Sequence, residues 1–168
     1  MSDILDPTIP HYIDSFRHMD PRGAFHKIYP PKGLDMEIKE VFYSFSKKGV
    51  IRGMHYQKAP YELKKIIKVV KGEILDVLID YRPDSKTYGE VHSFKLNEGN
   101  GCVYVPVGFA HGFQALTDDS VTLYLQDSPF SPEGDTGIRI NSFGFDWPIK
   151  EYELSERDSQ LPKFNLNP

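Results

Sequence analysis

The sequence has little of what marks secreted, membrane or nucleic-acid-binding proteins. Its 168 residues include one cysteine, Cys102, so no disulfide can form within the chain, and a reducing cytoplasm is the expected location. No run of about 18 apolar residues predicts a membrane span, and the segment from Met1 to Pro7 lacks the basic and apolar regions of a secretion signal. The formal net charge of −4 lacks the basic excess typical of nucleic-acid binders. We therefore expect an intracellular protein that binds neither membrane nor nucleic acid.

Several catalytic motifs are missing as well. The chain has no Gly-rich phosphate loop of the P-loop or dinucleotide type, and no Gly-x-Ser-x-Gly nucleophile elbow. A metal-binding jelly roll typically has two histidines one residue apart, but here His55 is followed two residues later by Gln57, an amide and a poor ligand. A set of His55, Glu62 and His111 is still compatible with a divalent ion. We nevertheless expect a site without metal or cofactor.

Short apolar segments separated by turns dominate the middle of the chain. Thirteen glycines and thirteen prolines interrupt a sequence with 10 tyrosines and 11 phenylalanines. The predicted strands are Met36–Phe45, Ile66–Val70, Glu73–Ile79, Glu90–Leu96, Cys102–Val105, Gly112–Leu116 and Val121–Gln126. Because this stretch shows no sustained helical period, we predict a mainly β jelly roll rather than an α/β fold. Residues 1–168 are expected to form a single domain, with 128–168 as a covering loop and tail and a short C-terminal helix capped by Ser155.

The last predicted strand, Val121–Gln126, alternates between apolar and polar residues. Its apolar face carries Val121, Leu123 and Leu125, and its other face carries Thr122, Tyr124 and Gln126. In a closed roll the polar face points either to solvent or into a ligand pocket. The alternation by itself leaves both possibilities open.

The run from Gly49 to Gln57 contains the first candidate site. Arg52 presents a rigid fork of donors that suits phosphate, and His55, three residues later, has an unperturbed pKa near neutrality. The neighbouring glycines would admit a ligand close to the backbone. The run therefore predicts an anion site beside a general base, although a lone histidine is more often a core or turn residue.

Other candidate residues have ordinary explanations when each is taken singly. Lys65 suits a surface cation, Tyr124 a half-buried aromatic and Asp158 a solvated or capping carboxylate. Cys102, between apolar residues, suits packing rather than nucleophilic chemistry. His111 is followed by a glycine, which indicates tight packing near a pocket.

A series of longer segments occurs in a fixed order along most of the chain. They are Asp20–Phe25, Gly49–Gln57, Lys65–Asp80, Asp84–Gly89, Val105–Phe113, Trp147–Pro148 and Leu154–Asp158, with Arg82 between the third and fourth. In type and order they resemble the motifs of the dTDP-4-dehydrorhamnose 3,5-epimerase family of nucleotide-sugar epimerases. The resemblance implies a cupin-type jelly roll.

The resemblance also implies acid–base chemistry on a nucleoside-diphosphate 4-keto-6-deoxyhexose. Removal of the proton at C3 or C5 of this sugar gives an enolate, so inversion needs a base on one face and an acid on the other. His55 matches the base and Asp158 the carboxylate paired with it. Lys65 matches the cation near the C4 oxygen, and Tyr124 matches the acid that returns the proton. No cofactor is implied.

Substrate binding and assembly follow from the same resemblance. Arg52 matches the diphosphate anchor, and the other substrate-binding positions implied in the same chain are Gln57, His111 and Phe113. The family exchanges its N-terminal strand between subunits. The resemblance thus implies a homodimer in which region 1–30 crosses to the partner, bringing Arg22 and Phe25 to the nucleotide.

Four positions depart from the family pattern. Lys27 stands where glutamate is usual, and Val41 and Tyr43 align with Gln and Asn, which leaves the nucleotide base undetermined. Phe130 aligns with a second tyrosine near the sugar, so inversion at C3, at C5 or at both stays open. The alternatives are a single-carbon epimerase on another nucleotide sugar, a cupin 3,4-ketoisomerase and a sugar-nucleotide-binding module without turnover.

Overall fold

The computed structural model describes residues 5–28 and 34–167, and its regular structure is almost entirely β-strand. Within these residues the elements are β1 His11–Ile13, β2 Phe16–Asp20, β3 Gly23–Lys27, β4 Glu40–Ser46, β5 Ile51–Gln57, β6 Lys65–Lys71, β7 Glu73–Asp80, β8 Val91–Asn97, β9 Cys102–Val105, β10 Phe109–Ala115, β11 Ser120–Gln126, β12 Asp135–Gly137 and α1 Glu156–Ser159. The prediction of a mainly β chain with a short C-terminal helix is confirmed. No helix in the described ranges is long and apolar enough to cross a membrane.

Two antiparallel sheets of five strands form the two layers of a jelly roll. The first sheet has the order β1-β9-β6-β11-β4, and the second has the order β12-β5-β10-β7-β8. Between them lies a core of buried side chains that includes Ile67, Leu78, Val103 and Phe113. Strands β2 and β3 form a separate hairpin.

The C-terminal segment covers the outer face of the second sheet. Ile138, Ile140, Phe143 and Trp147 pack against residues of β5, β7 and β10 in a second buried cluster. The Trp147 indole N–H donates to the carbonyl oxygen of Ile140 at 3.1 Å, which satisfies the one polar atom of that side chain. With both faces covered, the second sheet is a rigid support for the residues that point between the layers.

Strand β11 has its polar face inside and its apolar face outside. Ser120, Thr122, Tyr124 and Gln126 are buried between the sheets, while Val121, Leu123 and Leu125 are half-buried on the outer face. The polar face therefore points into the interior, which settles the choice that the alternation left open.

The structure corrects several strand boundaries. Strand β5 was not among the predicted strands, because adjacent residues such as Gly53 and Met54 are both buried and the segment does not alternate. Strand β4 begins at Glu40 rather than Met36, and β10 begins at Phe109 rather than Gly112. Strand β12 was not predicted. Strands β1, β2 and β3 lie in the N-terminal region 1–30, where a strand was expected without bounds, and none of the four exceeds five residues.

Two glycines allow β5 and β10 to approach each other next to the candidate residues. A Cβ on Gly53 would lie 2.5 Å from the Cα of Gly112, and a Cβ on Gly112 would lie 2.7 Å from the carbonyl oxygen of Arg52. Gly53 also has a φ of 132°, which L side chains rarely adopt. These glycines thus serve strand packing, and their close neighbour is backbone rather than a ligand.

Candidate active site

Side chains from both sheets line one cavity with two adjoining chambers. The larger is about 570 Å³ and the smaller about 290 Å³, and both are lined by Phe42, His55, Lys65 and Arg157. The smaller chamber also has Ser44, Arg52, His111, Phe113, Tyr124, Ser155 and Asp158 on its walls. All four residues predicted to be catalytic therefore line the same chamber: His55, Lys65, Tyr124 and Asp158.

His55 on β5 is hydrogen-bonded to Asp158, the buried residue of α1. The distance from His55 Nε2 to Asp158 Oδ1 is 2.6 Å, and Asp158 Oδ2 accepts the Gly53 N–H at 3.1 Å. Ser155 caps α1 by accepting the N–H of Asp158. This bond fixes the backbone position from which the Asp158 side chain extends. Burial raises the pKa of Asp158, but the bonds from His55 and Gly53 outweigh it, so its pKa is below the ordinary value. The carboxylate is thus held ionised beside the ring.

The ring of His55 is held in its neutral form. Burial is the largest cause of its lowered pKa; Asp158 opposes the shift, and Lys65 and Arg157 add to it. Nε2 donates its proton to Asp158, so the lone pair of the neutral ring is on Nδ1. A neutral imidazole with an oriented carboxylate is the arrangement that a general base needs.

Arg157 lies beside this pair. Its Nη1 is 2.8 Å from His55 Nε2 and 3.3 Å from Asp158 Oδ1, and its Nη2 is hydrogen-bonded to Asp135 at the start of β12. A nitrogen that donates to Asp158 has no lone pair left for Arg157, so the guanidinium donates to the carboxylates. Arg157 thus joins two carboxylates from separate elements.

Lys65 is a half-buried cation on the cavity wall rather than a surface cation. Desolvation lowers the pKa of its ammonium group to about 8, with Asp135 and Asp76 opposing the shift. The charged form still predominates at pH 7. Lys65 therefore brings a positive charge to the chamber where a developing oxyanion would be stabilised.

A second histidine–aspartate pair lies on the second sheet. His111 Nε2 on β10 is 2.6 Å from Asp76 Oδ1 on β7, and both residues are buried. Asp76 Oδ2 has no hydrogen-bond partner within the described residues. Burial raises the pKa of Asp76, although His111 and Lys65 oppose this.

Tyr124 on β11 faces the chamber from the first sheet. Its hydroxyl is 3.2 Å from the Ser44 hydroxyl, and its ring stacks on Phe42 with 4.5 Å between centroids. Burial raises the pKa of Tyr124 well above the ordinary value of 10.0, against smaller effects of Ser44 and Arg52. The phenol is therefore protonated at neutral pH and is able to donate.

Arg52 lies on another part of the chamber wall. Its Nε donates to Ser46 Oγ at 3.0 Å and its Nη2 donates to the carbonyl oxygen of Phe45 at 2.7 Å. These two bonds hold the guanidinium in one orientation. In the described part of the chain, Nη1 makes no hydrogen bond and is available to an anion.

Comparison with known proteins identifies the family of the chain. The family model described as dTDP-4-dehydrorhamnose 3,5-epimerase matches residues 10–165. The chain belongs to this family. A family member of that name from Methanothermobacter thermautotrophicus is 35% identical over 162 residues, covering 90% of this chain and 87% of the relative.

Two solved epimerase structures are similar over nearly the whole chain. The dTDP-4-dehydrorhamnose 3,5-epimerase from Bacillus anthracis str. Ames, with TDP and PPi bound, is 32% identical with a TM-score of 0.90, covering 95% of this chain and 96% of that chain. The dTDP-6-deoxy-D-glucose-3,5-epimerase from Legionella pneumophila Philadelphia 1, in complex with dTDP-4-keto-L-rhamnose, is 30% identical with a TM-score of 0.88, covering 94% and 88%.

Strand β4 carries two of the positions that depart from the family pattern. Val41 and Tyr43 are both more than half exposed; Val41 lines the larger chamber, and Tyr43 lines neither chamber. Phe42 and Ser44 are on the opposite face of the strand, where the Phe42 ring stacks on Tyr124 and the Ser44 hydroxyl is hydrogen-bonded to it. Phe42 and Ser44 are therefore the β4 residues in contact with Tyr124.

Gln57 and Phe130 line the larger chamber. The Gln57 amide donates to the carbonyl oxygen of Tyr61 at 2.7 Å and accepts the Ser131 N–H at 2.6 Å, so it holds the loop that carries Phe130. Glu40 Oε2 accepts the Phe130 N–H at 3.2 Å and so holds the same loop. Gln57 thus shapes the cavity through backbone bonds.

Arg22 and Phe25 lie apart from the cavity of their own chain. Both are on the β2–β3 hairpin and line a separate surface depression with His18. Arg22 pairs with Asp20 at 2.5 Å. Lys27 ends β3. Of the predicted exchanged region 1–30, residues 1–4 and 29–30 are outside the described residues.

Four charged residues of the site were missed in the sequence analysis: Glu40, Asp76, Asp135 and Arg157. Asp76 could have been found as a carboxylate in the middle of the apolar strand Glu73–Asp80. Arg157 precedes Asp158 in a matched motif, but nothing in the sequence relates it to Asp135. In the described part of the chain, no three His, Cys, Asp or Glu side chains are grouped as a metal site, and Glu62 is not among the residues lining the cavity.

Proposed function

We propose that this member of the family is a 3,5-epimerase of a nucleoside-diphosphate 4-keto-6-deoxyhexose. The observation that carries this function is the placement of base and acid. His55 belongs to the second sheet and Tyr124 to the first, and both line one chamber with Lys65. A sugar ring between the sheets would meet the base on one face and the acid on the other.

The proton transfers follow from these positions. His55 accepts the proton from the carbon next to the C4 ketone, and Asp158 stabilises the imidazolium that forms. The electron pair moves to the C4 oxygen as an enolate, which the Lys65 ammonium stabilises. Tyr124 then donates its proton to the same carbon from the other side. Exchange with water returns a proton to Tyr124 and removes one from His55.

The nucleotide end of the substrate is assigned to Arg52. Its oriented guanidinium suits the diphosphate, because Arg binds phosphate oxygens through two parallel N–H bonds. The Legionella pneumophila relative was solved in complex with dTDP-4-keto-L-rhamnose, and we propose a substrate of this chemical class for the present chain.

Solvent exchange in D₂O tests the function. The protein is incubated with 4-keto-6-deoxy sugar nucleotides of thymidine, cytidine and guanosine, and deuterium at C3 and C5 is followed by NMR. Exchange with inversion at both carbons is the expected result. Exchange at one carbon would indicate a single-carbon epimerase, a displaced ketone would indicate a ketoisomerase, and no exchange with any nucleotide would contradict the proposal.

We also propose a homodimer in which the β2–β3 hairpin contacts a second copy. The outer face of the first sheet exposes Val41, Tyr43 and Phe45, each more than half exposed, beside the half-buried apolar residues of β11. The hairpin strands, among the described residues, pair with each other and expose Phe16, Met19 and Phe25. An isolated hairpin is marginally stable, and an extended apolar patch is typical of an interface. A second copy would cover both surfaces.

Complementation tests whether Arg22 acts across this dimer. His55→Asn and Arg22→Ala remove the base and the proposed partner contact, and each variant is assayed alone and after coexpression. If Arg22 acts on the partner's cavity, mixed dimers have one complete site, and roughly a quarter of all sites regain activity. A lack of recovery, or a monomer in light scattering, would contradict exchange.

A cytoplasmic location is proposed as well. Cys102 is a free, buried cysteine, and burial raises its pKa to about 11. A chain that depends on no disulfide suits a reducing compartment. Cell fractionation with a cytoplasmic marker tests this, and enrichment in any other fraction would contradict it.

A further inference from the structure

Arg157 occupies a position that the proposed acid–base mechanism leaves without a role. It lies on α1 next to Asp158 and lines both chambers of the cavity. Its guanidinium is held between Asp135 of β12 and Asp158 of α1, and Nη1 is 2.8 Å from the ring of His55. A cation fixed by two carboxylates at this distance from the base disfavours protonation of the base.

Asp158 by itself would have two opposite effects on His55. Its hydrogen bond orients the ring, which a base requires, but its negative charge also favours the imidazolium, which is no longer a base. A positive charge next to the same ring opposes the second effect without removing the first. The side chain of Arg157 is 46% exposed, so part of its field is screened, while Asp158 is buried.

We propose that Arg157, held by Asp135, is a positioning residue that keeps His55 neutral while Asp158 orients its ring. The role of His55 as a base rests on the proposed function. The effect of Arg157 on the charge of His55 is a property of the protein without substrate. The other charged and titratable groups around His55 are Lys65 on β6, Tyr124 on β11, and His111 on β10, which is the register partner of His55. Lys65 acts in the same direction as Arg157, and Asp158 and Asp135 act in the opposite direction.

Histidine NMR of the unliganded protein is the decisive measurement. The ring signals of His55, assigned with His55→Gln, are titrated in the wild type, Arg157→Gln, Arg157→Lys and Asp135→Asn. Loss of the cation in Arg157→Gln should raise the pKa of His55 by roughly one unit, the lower end of the effect of a charge within about 6 Å. Arg157→Lys keeps the charge and should return the titration most of the way to that of the wild type. Asp135→Asn removes one of the two carboxylates that hold the guanidinium, so the titration of His55 should change in this variant also.

Lys150→Gln is the matched control, because Lys150 is an exposed cation paired with Asp146 and does not line the cavity. It should leave the His55 titration unchanged. An unchanged titration in Arg157→Gln would overturn the proposal, whether or not the protein turns over a sugar nucleotide.

Solvent exchange then gives a second readout. In Arg157→Gln the loss of exchange rate should be larger at pH 6 than at pH 8.5, since a raised pKa of His55 lowers the neutral fraction of the ring at pH 6 and leaves it almost unchanged at pH 8.5. A rise in KM with the same pH profile would instead make Arg157 a substrate anchor, and an equal loss at every pH would make its role structural. Either result contradicts the proposal. If neither the wild type nor any variant shows exchange, the proposed function is contradicted. The His55 titration in Arg157→Gln still tests the role of Arg157.

Discussion

Two histidine–aspartate pairs of the same length lie around one chamber, and they differ in what surrounds the carboxylate. His55–Asp158 and His111–Asp76 both have a nitrogen-to-oxygen distance of 2.6 Å. Asp158 receives two more donors, from Gly53 and Arg157, whereas Asp76 Oδ2 has none among the described residues. Burial raises the pKa of both carboxyl groups, but donors reverse the shift only at Asp158. Neighbours thus shift the pKa of the aspartate in opposite directions in the two pairs.

The two pairs also differ in how the chain assembles them. Asp76 and His111 lie on neighbouring strands β7 and β10, so sheet pairing alone brings them close. Asp158 is 103 residues from His55 and reaches it from α1, outside the sheets. An ionised carboxylate with an accessible ring suits proton transfer. A buried pair under Tyr124 and Lys65 suits support of the chamber wall.

Replacing the histidine of each pair should give the largest difference between the pairs, measured as the rate of proton abstraction from the sugar. Glutamine in place of either histidine keeps an N–H donor for the aspartate but removes the titratable ring. His55→Gln should lower the rate of deuterium incorporation by about a thousandfold, within the range of general base catalysis, and His111→Gln by less than about tenfold. NMR of the sugar in D₂O measures both. Equal losses would erase the distinction between the pairs.

A smaller difference is expected for the two aspartates. Asp158→Asn places an amide N–H₂ against the ring nitrogen or against the Gly53 N–H, so one donor faces another. We expect kcat to fall by about a hundredfold, because the ring loses its tautomer and its orientation. Asp76→Asn retains an acceptor for His111 and should cost only a few-fold. A greater loss in Asp76→Asn would show that the buried pair takes part in the chemistry.

The smallest expected effect is on stability. The contributions of the two aspartates to the free energy of unfolding should change in opposite directions with pH. Asp158 has a lowered pKa, so its contribution is present above the unfolded value near 3.8 and is lost as pH falls through the folded value. Asp76 has a raised pKa, so its contribution is present below 3.8 and is lost as pH rises through the folded value. At pH 7, Asp158→Asn should lower the free energy of unfolding by about 1–3 kcal/mol, and Asp76→Asn by less than about 1 kcal/mol.

Urea unfolding of both variants between pH 3 and pH 8 measures these contributions. The cost of Asp158→Asn should shrink towards acid pH, whereas any cost of Asp76→Asn should shrink, or become a gain, towards neutral pH. Parallel profiles for the two variants would mean that the extra donors on Asp158 do not distinguish it from Asp76.

Several strands were predictable because they alternate or end at clear turns. Strand β11 and strand β9 were predicted within one residue. Strand β5 was missed although it carries His55, since it is covered on both sides and its sequence has no period of two. The most informative motif thus lies on the strand with the weakest strand signal.

The candidate site was predictable in its members but not in their contacts. The order of motifs along the chain pointed to His55, Lys65, Tyr124 and Asp158, and the structure brings these four together in one chamber. The sequence did not show that Phe42 and Ser44 of β4 contact Tyr124. The joining of Arg157 to Asp135 could not be read from the sequence, because β12 is three residues long and has no pattern of its own.

The sequence by itself determined the family, the mainly β class and the types of side chain available for acid–base chemistry, since these depend on motif identity and local pattern. Tertiary structure decided which face of each strand lines the cavity, in which direction the pKa of each aspartate is shifted and which cation lies beside the base. Those outcomes depend on contacts between residues distant in the chain, and a carboxylate or an imidazole takes its pKa from its neighbours in space.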